Sequence, residues 1–435
     1  MKHTMLTTLL LGALAHPAAA QTTTEDKTRA DDLAKAADAT ADVANTPAPA
    51  TEASSAAAKA AADVDLSALG LDPASAASAY DDKLNVYGFA DFSYQAFHFV
   101  NPLMFIRQDT RGFAVGNLNL YLAKNLTPRV RALAEVRFTF LPNGSTNRDG
   151  TTVDDTAADV ANYSRPVQWG GVVIERVYVE YDLTDWLTIR AGHWLTPYGI
   201  WNIDHGSPAI IPIGRPYIIG EQFFPEHQTG LDLFGSKLLE GYKVAYHVTA
   251  SNGRGATESI QDQDNKLAFG ARAELETPWG LRIGGSYYRG RYTGVAPTVM
   301  SAAPTFKEQA IGGDVQFDYH GLHAQAEVIG RIRDFHGQRP MSFGGDNDFG
   351  SYLLAGYRFD ALWNVMPFVL FSPYEPADLS TFKSATAGEA GLNFRPSGNL
   401  ILKVQGIAVK FDDDHAGLLS NNTVYQGMAE ASFVF

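Results

Sequence analysis

The sequence predicts an all-β protein, a transmembrane antiparallel β-barrel of about sixteen strands behind a disordered or partly helical N-terminal leader. Three observations carry that prediction. Beyond Leu84 the chain repeats segments of about ten residues in which apolar and polar side chains alternate. The connections between these segments alternate between short and long. Past the first twenty residues, no apolar run is long enough for a membrane helix. The chain has 435 residues, 40 glycines and a net charge of −14, and it is 45% hydrophobic. A soluble chain of this length would ordinarily split into domains, whereas in a barrel every strand adds to one closed sheet.

The amino end sets the compartment. Residues 1–20 combine a basic start at Lys2, an apolar run from Met5 to Ala15, and small residues at Ala18 and Ala20. This pattern is that of a secretory signal cut before Gln21. There is no cysteine, so neither a disulfide framework nor a lipid-modified cysteine is available. Residues 21–80 are rich in Ala, Thr, Asp and Ser and are broken by Pro47-Ala-Pro49. They hold too little apolar surface to fold alone and are expected to form a flexible periplasmic leader. Leu33, Ala36, Thr40 and Val43 leave a short coiled coil as the alternative. The barrel is expected to occupy 81–435.

Strands are predicted at 84–99, 113–125, 130–140, 172–183, 187–195, 229–236, 242–250, 266–276, 281–291, 308–319, 322–333, 350–360, 365–371, 385–395, 400–411 and 423–435. Tight turns are read at 126–129, 184–186, 277–280 and 396–399, where Pro, Gly, Asn and Asp gather. The long connections fall at 141–171, 196–228, 251–265, 292–307, 334–349, 372–384 and 412–422. Short periplasmic turns with long outside loops are the asymmetry of a bacterial outer-membrane barrel. Trp186, Trp279 and Trp363 all fall in short turns, as an aromatic girdle requires. In the last segment Tyr425, Gly427, Ala429, Ala431, Phe433 and Phe435 share one face. Its terminal Phe resembles the closing strand of bacterial outer-membrane barrels.

Alternation also sorts the strands into faces. In 130–140, Val130, Ala132, Ala134, Val136 and Phe138 are expected outside, and Arg131, Leu133, Glu135, Arg137 and Thr139 inside. In 172–183, Val177, Val179, Tyr181 and Leu183 are read as outward, and Arg176, Tyr178, Glu180 and Asp182 as inward. In 187–195, Leu187, Ile189, Ala191 and Leu195 are outward, and Thr188, Arg190 and Gly192 inward. In 322–333, Leu322, Ala324, Ala326 and Val328 are outward, and His323, Gln325, Glu327, Arg331 and Arg333 inward. Charges on the lipid face would cost about 2–4 kcal/mol at mid-depth, so a wet lumen accommodates them best. The expected pore-lining set is Arg131, Glu135, Arg137, Arg176, Glu180, Asp182, Arg190, Glu327, Arg331 and Arg333. Arg272, Arg358 and Lys403, with Asp232, Glu274, Asp314 and Asp318, are read on the same face.

The third long loop is less polar than its siblings. It is expected to fold into the barrel and narrow it, carrying Asp204, His205, Arg215, Glu221 and Glu226. An external cap or a subunit contact is the alternative for this loop. Asp412-Asp-Asp-His415 and Asp346-Asn-Asp348 read as solvated acidic loops, and no metal or cofactor is expected. His247 and Ser251 lie close in sequence, but proximity alone does not make a catalytic pair, and the chain is not expected to be an enzyme. The acidic balance argues against nucleic acid.

The run Glu175-Arg-Val-Tyr-Val-Glu-Tyr181, Trp186-Leu-Thr-Ile-Arg-Ala-Gly192 and Leu195-Thr-Pro-Tyr-Gly199 resembles the phosphate-selective porin O/P-like superfamily. The likeness is strongest over 170–235. It implies a sixteen-stranded, usually trimeric diffusion channel in the Gram-negative outer membrane. Lipid, lipopolysaccharide and small hydrophilic solutes are then the expected partners. Phosphate selectivity transfers poorly, because a phosphate path needs a ladder of cations and the third loop offers only Arg215. The expectation is a water-filled pore for small solutes or ions with a slight lean to anions. A narrow or plugged barrel acting as an anchor or adhesin is the alternative.

Overall fold

A computed structural model describes residues 83–101, 108–139, 171–203, 206–220, 223–255, 265–293, 305–335, 345–360, 363–377, 383–412 and 421–435. The signal and leader expected over 1–80 lie outside these residues. The strands are β1 (Asn85–Phe99), β2 (Asp109–Thr127), β3 (Val130–Thr139), β4 (Gly171–Thr184), β5 (Leu187–Leu195), β6 (His227–Leu239), β7 (Tyr242–Ser251) and β8 (Ala268–Glu276). They continue as β9 (Leu281–Thr293), β10 (Thr305–Tyr319), β11 (Leu322–Phe335), β12 (Asn347–Tyr357), β13 (Met366–Glu375), β14 (Ser384–Ser397), β15 (Leu400–Asp412) and β16 (Thr423–Val434). A two-residue strand, Arg254–Gly255, runs parallel to the end of β9. One four-residue helix, α1 (Tyr217–Gly220), sits in the third loop.

Each of the sixteen strands pairs antiparallel with its sequence neighbours, and β1 also pairs with β16. The sheet is therefore closed, and no edge strand is left to pair with another chain. The terminal residue completes the seam: Phe435 and Gly88 exchange backbone hydrogen bonds at 2.8 and 2.9 Å.

Two short turns place a glycine at their second position, where positive φ costs it nothing. Glu240 and Gly241, and His320 and Gly321, both adopt positive φ, as two-residue hairpins twisted with their strands require. Trp186, Trp279 and Trp363 are 53%, 50% and 75% exposed at this end of the barrel, where a girdle would stand.

Strand ends differ from the predicted bounds by a few residues, as in Asp109–Thr127 and Asn347–Tyr357, and two departures have a local cause. β13 runs on to Glu375, past the predicted end at 371, although Pro373 lies inside it. Proline removes one donor from the ladder, but Pro373 still stands opposite Thr386. In β4 the pairing slips between Ile174 and Arg176, leaving Glu175 as the extra residue of a bulge opposite Glu135. Val172 and Ile174 then face outward at 64% and 56% exposure, out of step with Val177 and Val179. Glu175 is buried together with Arg176.

Candidate functional site

The inner face of the wall is charged, and strand register decides which charges meet. Arg131 stands opposite Glu180, Glu180 opposite Arg190, and Arg190 opposite Asp232. This belt alternates in sign from β3 to β6. Arg131 donates to Glu180 at 2.5 Å and to Asp182 at 2.6 Å. Arg190 donates to Glu180 at 2.7 Å and reaches Asp232 at 3.3 Å. Its guanidinium lies between the rings of Tyr178 and Phe234, 4.7 and 4.5 Å from their centroids. One step up the wall, Arg176 donates to Glu135 at 2.5 Å, and Asn119 completes that carboxylate at 2.6 Å. Arg137 and His227 both pair with the bulged Glu175, at 2.7 Å each.

The opposite wall carries a second set. Arg272 chelates Asp314 and also reaches Glu274 at 2.8 Å. Arg254 grips Glu308 through two nitrogens. Arg331 and Arg333 converge on Asp348 at 2.8 and 2.9 Å. Charges buried this deeply persist only when paired or hydrogen-bonded, and register supplies the pairs. Arg358 departs from expectation. It lies beyond the end of β12 and is exposed, because the strand stops before alternation can carry it inward. Leu195 departs as well. It is buried rather than outward-facing, since the chain turns into the barrel there.

The third loop runs inside the wall and bonds to strands on several sides of it. Thr196 anchors its entry: its N–H meets the Glu226 carbonyl at 3.0 Å and its hydroxyl donates to the Pro225 carbonyl. From there Tyr198 reaches Thr249 on β7 at 2.6 Å, and burial pushes its phenol above the usual range. The Gly199 amide meets Ser286 on β9 at 3.2 Å, and the Ile200 amide meets Glu327 on β11 at 3.4 Å. Across the barrel, Ser207 donates to Asp91 on β1 at 2.8 Å. The Lys403 ammonium on β15 holds the carbonyls of Ser207 and Pro212 at 2.6 and 3.1 Å. Tyr198, Trp201, Ile210, Ile218, Phe223 and Phe224 pack with Tyr288, Ile329, Tyr352, Leu370, Tyr374 and Phe411 of the wall. Arg215 pairs with Glu226 at 2.8 Å within the loop, while Asp204, His205 and Glu221 lie outside the described residues.

Gly199 explains the Tyr-Gly of the loop entry. Its φ is +73°, and a Cβ there would run into the Glu327 carboxylate. Gly199→Ala is expected to cost more than about 1 kcal/mol and to loosen the loop. Urea unfolding of the refolded barrel would measure the first effect, and protease sensitivity at 200–220 the second.

The structure brings together all ten predicted inward residues on the inner face, though not as one cluster. Arg131, Glu135, Arg137, Arg176, Glu180, Asp182 and Arg190 share one wall, and Glu327, Arg331 and Arg333 share the other. Sequence alternation missed Glu175, although the three-residue step from Ile174 to Val177 marks the bulge. It also missed the inward Asp91 and Glu308. Lys403 was read as inward, but its hold on the loop was not foreseen. His247 bonds Asp232 at 3.0 Å rather than Ser251, which lies about 13 Å further along the same strand.

No family model matches the chain, and no curated protein matches it in sequence. Solved structures do match in shape. An anion-selective porin from Comamonas acidovorans superposes with TM-score 0.55 at 11% identity, over 81% of this chain and 99% of its own. The outer membrane channel DcaP of Acinetobacter baumannii gives 0.52 at 12% identity, over 81% and 97%. The trimer form of OmpT, an outer membrane protein of Vibrio cholerae, gives 0.51 at 7% identity, over 81% and 99%. With its closed antiparallel wall of sixteen strands, the chain has the fold of the bacterial outer-membrane porins.

Proposed function

We propose that the chain is an outer-membrane porin through which small hydrophilic solutes or ions diffuse, along a narrow path between the third loop and the charged wall of β3–β7. The carrying observation is the placement of the loop. It leans its aromatic residues on β9–β16 and leaves the alternating belt of Arg131, Glu180, Arg190 and Asp232 on the other side. Alternating charges along one side of a narrow path offer polar partners to small solutes of either sign. Arg254, Arg331 and Arg333 gathered around Glu308 and Asp348 support a slight lean to anions. The phosphate-selective reading is weaker, because the inner guanidiniums already hold carboxylates. The barrel would stand in a Gram-negative outer membrane among lipid and lipopolysaccharide, with its leader in the periplasm.

Homotrimer formation fits a smooth sector of the outer wall. Gly388, Ala390, Gly406, Ala408, Gly427 and Ala429 face outward on β14–β16, and flat small-residue surfaces allow close approach between walls.

A second reading has its own support. Glu135, Asp232 and Lys403 are almost wholly buried, as in a plugged barrel that serves as an anchor or adhesin. Single-channel recording in planar bilayers separates the two. Stepwise openings, in threes for a trimer, are the expected result, with a reversal potential under a KCl gradient that favours chloride. Arg137→Glu is expected to move that potential toward cation preference. A folded but silent barrel would establish the plugged reading.

A further inference from the structure

The outer face of β9 and β10 carries cations where a lipid-facing wall should be bare. Tyr288, Glu308 and Ala310 point inward and are buried, so Arg289, Arg291, Lys307 and Gln309 point outward. Register sets Arg291 directly opposite Lys307, and Arg289 opposite Gln309. Like charges placed directly opposite destabilise a sheet. Elsewhere on this rim a cation stands beside an acid, as in Lys410–Asp412 at 2.8 Å. Here, among the described residues, Arg289 and Lys307 have no ion-pair or hydrogen-bond partner. Asp334 faces Lys307 from β11 but forms no ion pair with it.

The height of these cations is informative. Arg289 lies eight residues along β9 from the short-turn end at Leu281. With tilted strands that is about 20 Å, near the top of an apolar band about 25 Å tall. Phe269 stands beside Arg289, and the surface below is apolar: Ile311 and Ile283 are at least half exposed, and the Tyr287 hydroxyl ties to Gln309 at 3.2 Å. Lower still, Gly285 and Gly313 stand opposite each other, with open space where their side chains would be. That leaves a shallow floor between Tyr287 and Ile311 above and Ile283 and Val315 below.

We propose that this face binds a phosphorylated, multiply acylated glycolipid of the outer leaflet, with its phosphate on Arg289, Arg291 and Lys307 and an acyl chain over Gly285 and Gly313. Guanidinium and phosphate form paired, charge-assisted hydrogen bonds, and the exposed Arg289 and Lys307 have donors to offer one. The proposal rests on the outer-membrane reading but not on conduction. Three strands, β11–β13, separate the site from the smooth sector on β14–β16, so contact through that sector leaves the site facing lipid.

The test uses the full refolded chain in detergent, with native mass spectrometry against diphosphorylated lipid A and its dephosphorylated form. The intact protein is expected to retain the phosphorylated lipid. Arg289→Gln combined with Lys307→Gln, or removal of the phosphates, is expected to weaken retention about tenfold or more, the worth of one charged hydrogen bond. Arg289→Lys combined with Lys307→Arg should bind as the intact chain does, which controls for folding. Equal retention of both lipids, or retention untouched by the double Gln variant, overturns the proposal. Displacement by millimolar inorganic phosphate also overturns it, by making this a free-anion site. Channel conductance is expected to stay the same in both double variants, because these side chains lie outside the lumen.

Discussion

Replacing residues 198–223 with a short glycine linker is expected to raise single-channel conductance several-fold while leaving the barrel closed. The cut is feasible because Leu195 and His227 are register partners, so a tight connection joins β5 to β6. The loop removed contacts β1, β7, β9, β11 and β15 in turn. Five of its buried aromatic and aliphatic side chains, Tyr198, Trp201, Ile210, Ile218 and Phe223, pack beside β9–β16. Without them water enters, and the path widens to the diameter that sixteen strands allow. The same deletion exposes Tyr288, Tyr352 and Tyr374 to the lumen, so a loss of stability accompanies the gain in current. Unchanged conductance would mean that the constriction lies elsewhere.

Lys403→Met is expected to destabilise the barrel by about 3–5 kcal/mol, the usual cost of removing one partner from a buried ion pair. Lys403 is 1% exposed and sits opposite Glu430, 3.0 Å from its carboxylate. Its other donors hold two carbonyls of the third loop. The substitution therefore strands a carboxylate and unpins the loop together. Urea unfolding followed by tryptophan fluorescence gives the stability change. Lys403→Met combined with Glu430→Gln should recover part of it, since the stranded charge is gone. The loop would remain unpinned in that double variant, so any rise in conductance should persist. A cost near zero for the single change would show that Glu430 finds another partner.

Much of the wall was legible because a strand has period two. Outward Val177, Val179 and Tyr181 and inward Tyr178, Glu180 and Asp182 fall where alternation puts them. The turns were legible because Pro, Gly and Asn accept backbone angles that other residues resist. Reading failed where one residue breaks the count. The bulge at Glu175 shifts every position before it by one, and Pro373 looks like a stop although the ladder continues through it.

The candidate site was legible only as a set of residues facing the same way. Alternation could say that Arg190 and Glu180 point inward. It could not say that Arg190 bridges Glu180 and Asp232, because that follows from the register of three separate strands. The loop was recognisable as too apolar for solvent, but its route was not, because contacts such as Ser207 with Asp91 and Lys403 join residues far apart in the chain.

Local alternation and local turn chemistry thus specify about sixteen strands and their two faces, since a strand's period and a tight turn are both set by residues close in the chain. Tertiary structure alone decided which charges pair, where the third loop rests and which outward cations stand side by side, since each of these depends on how strands slide past one another before the barrel closes.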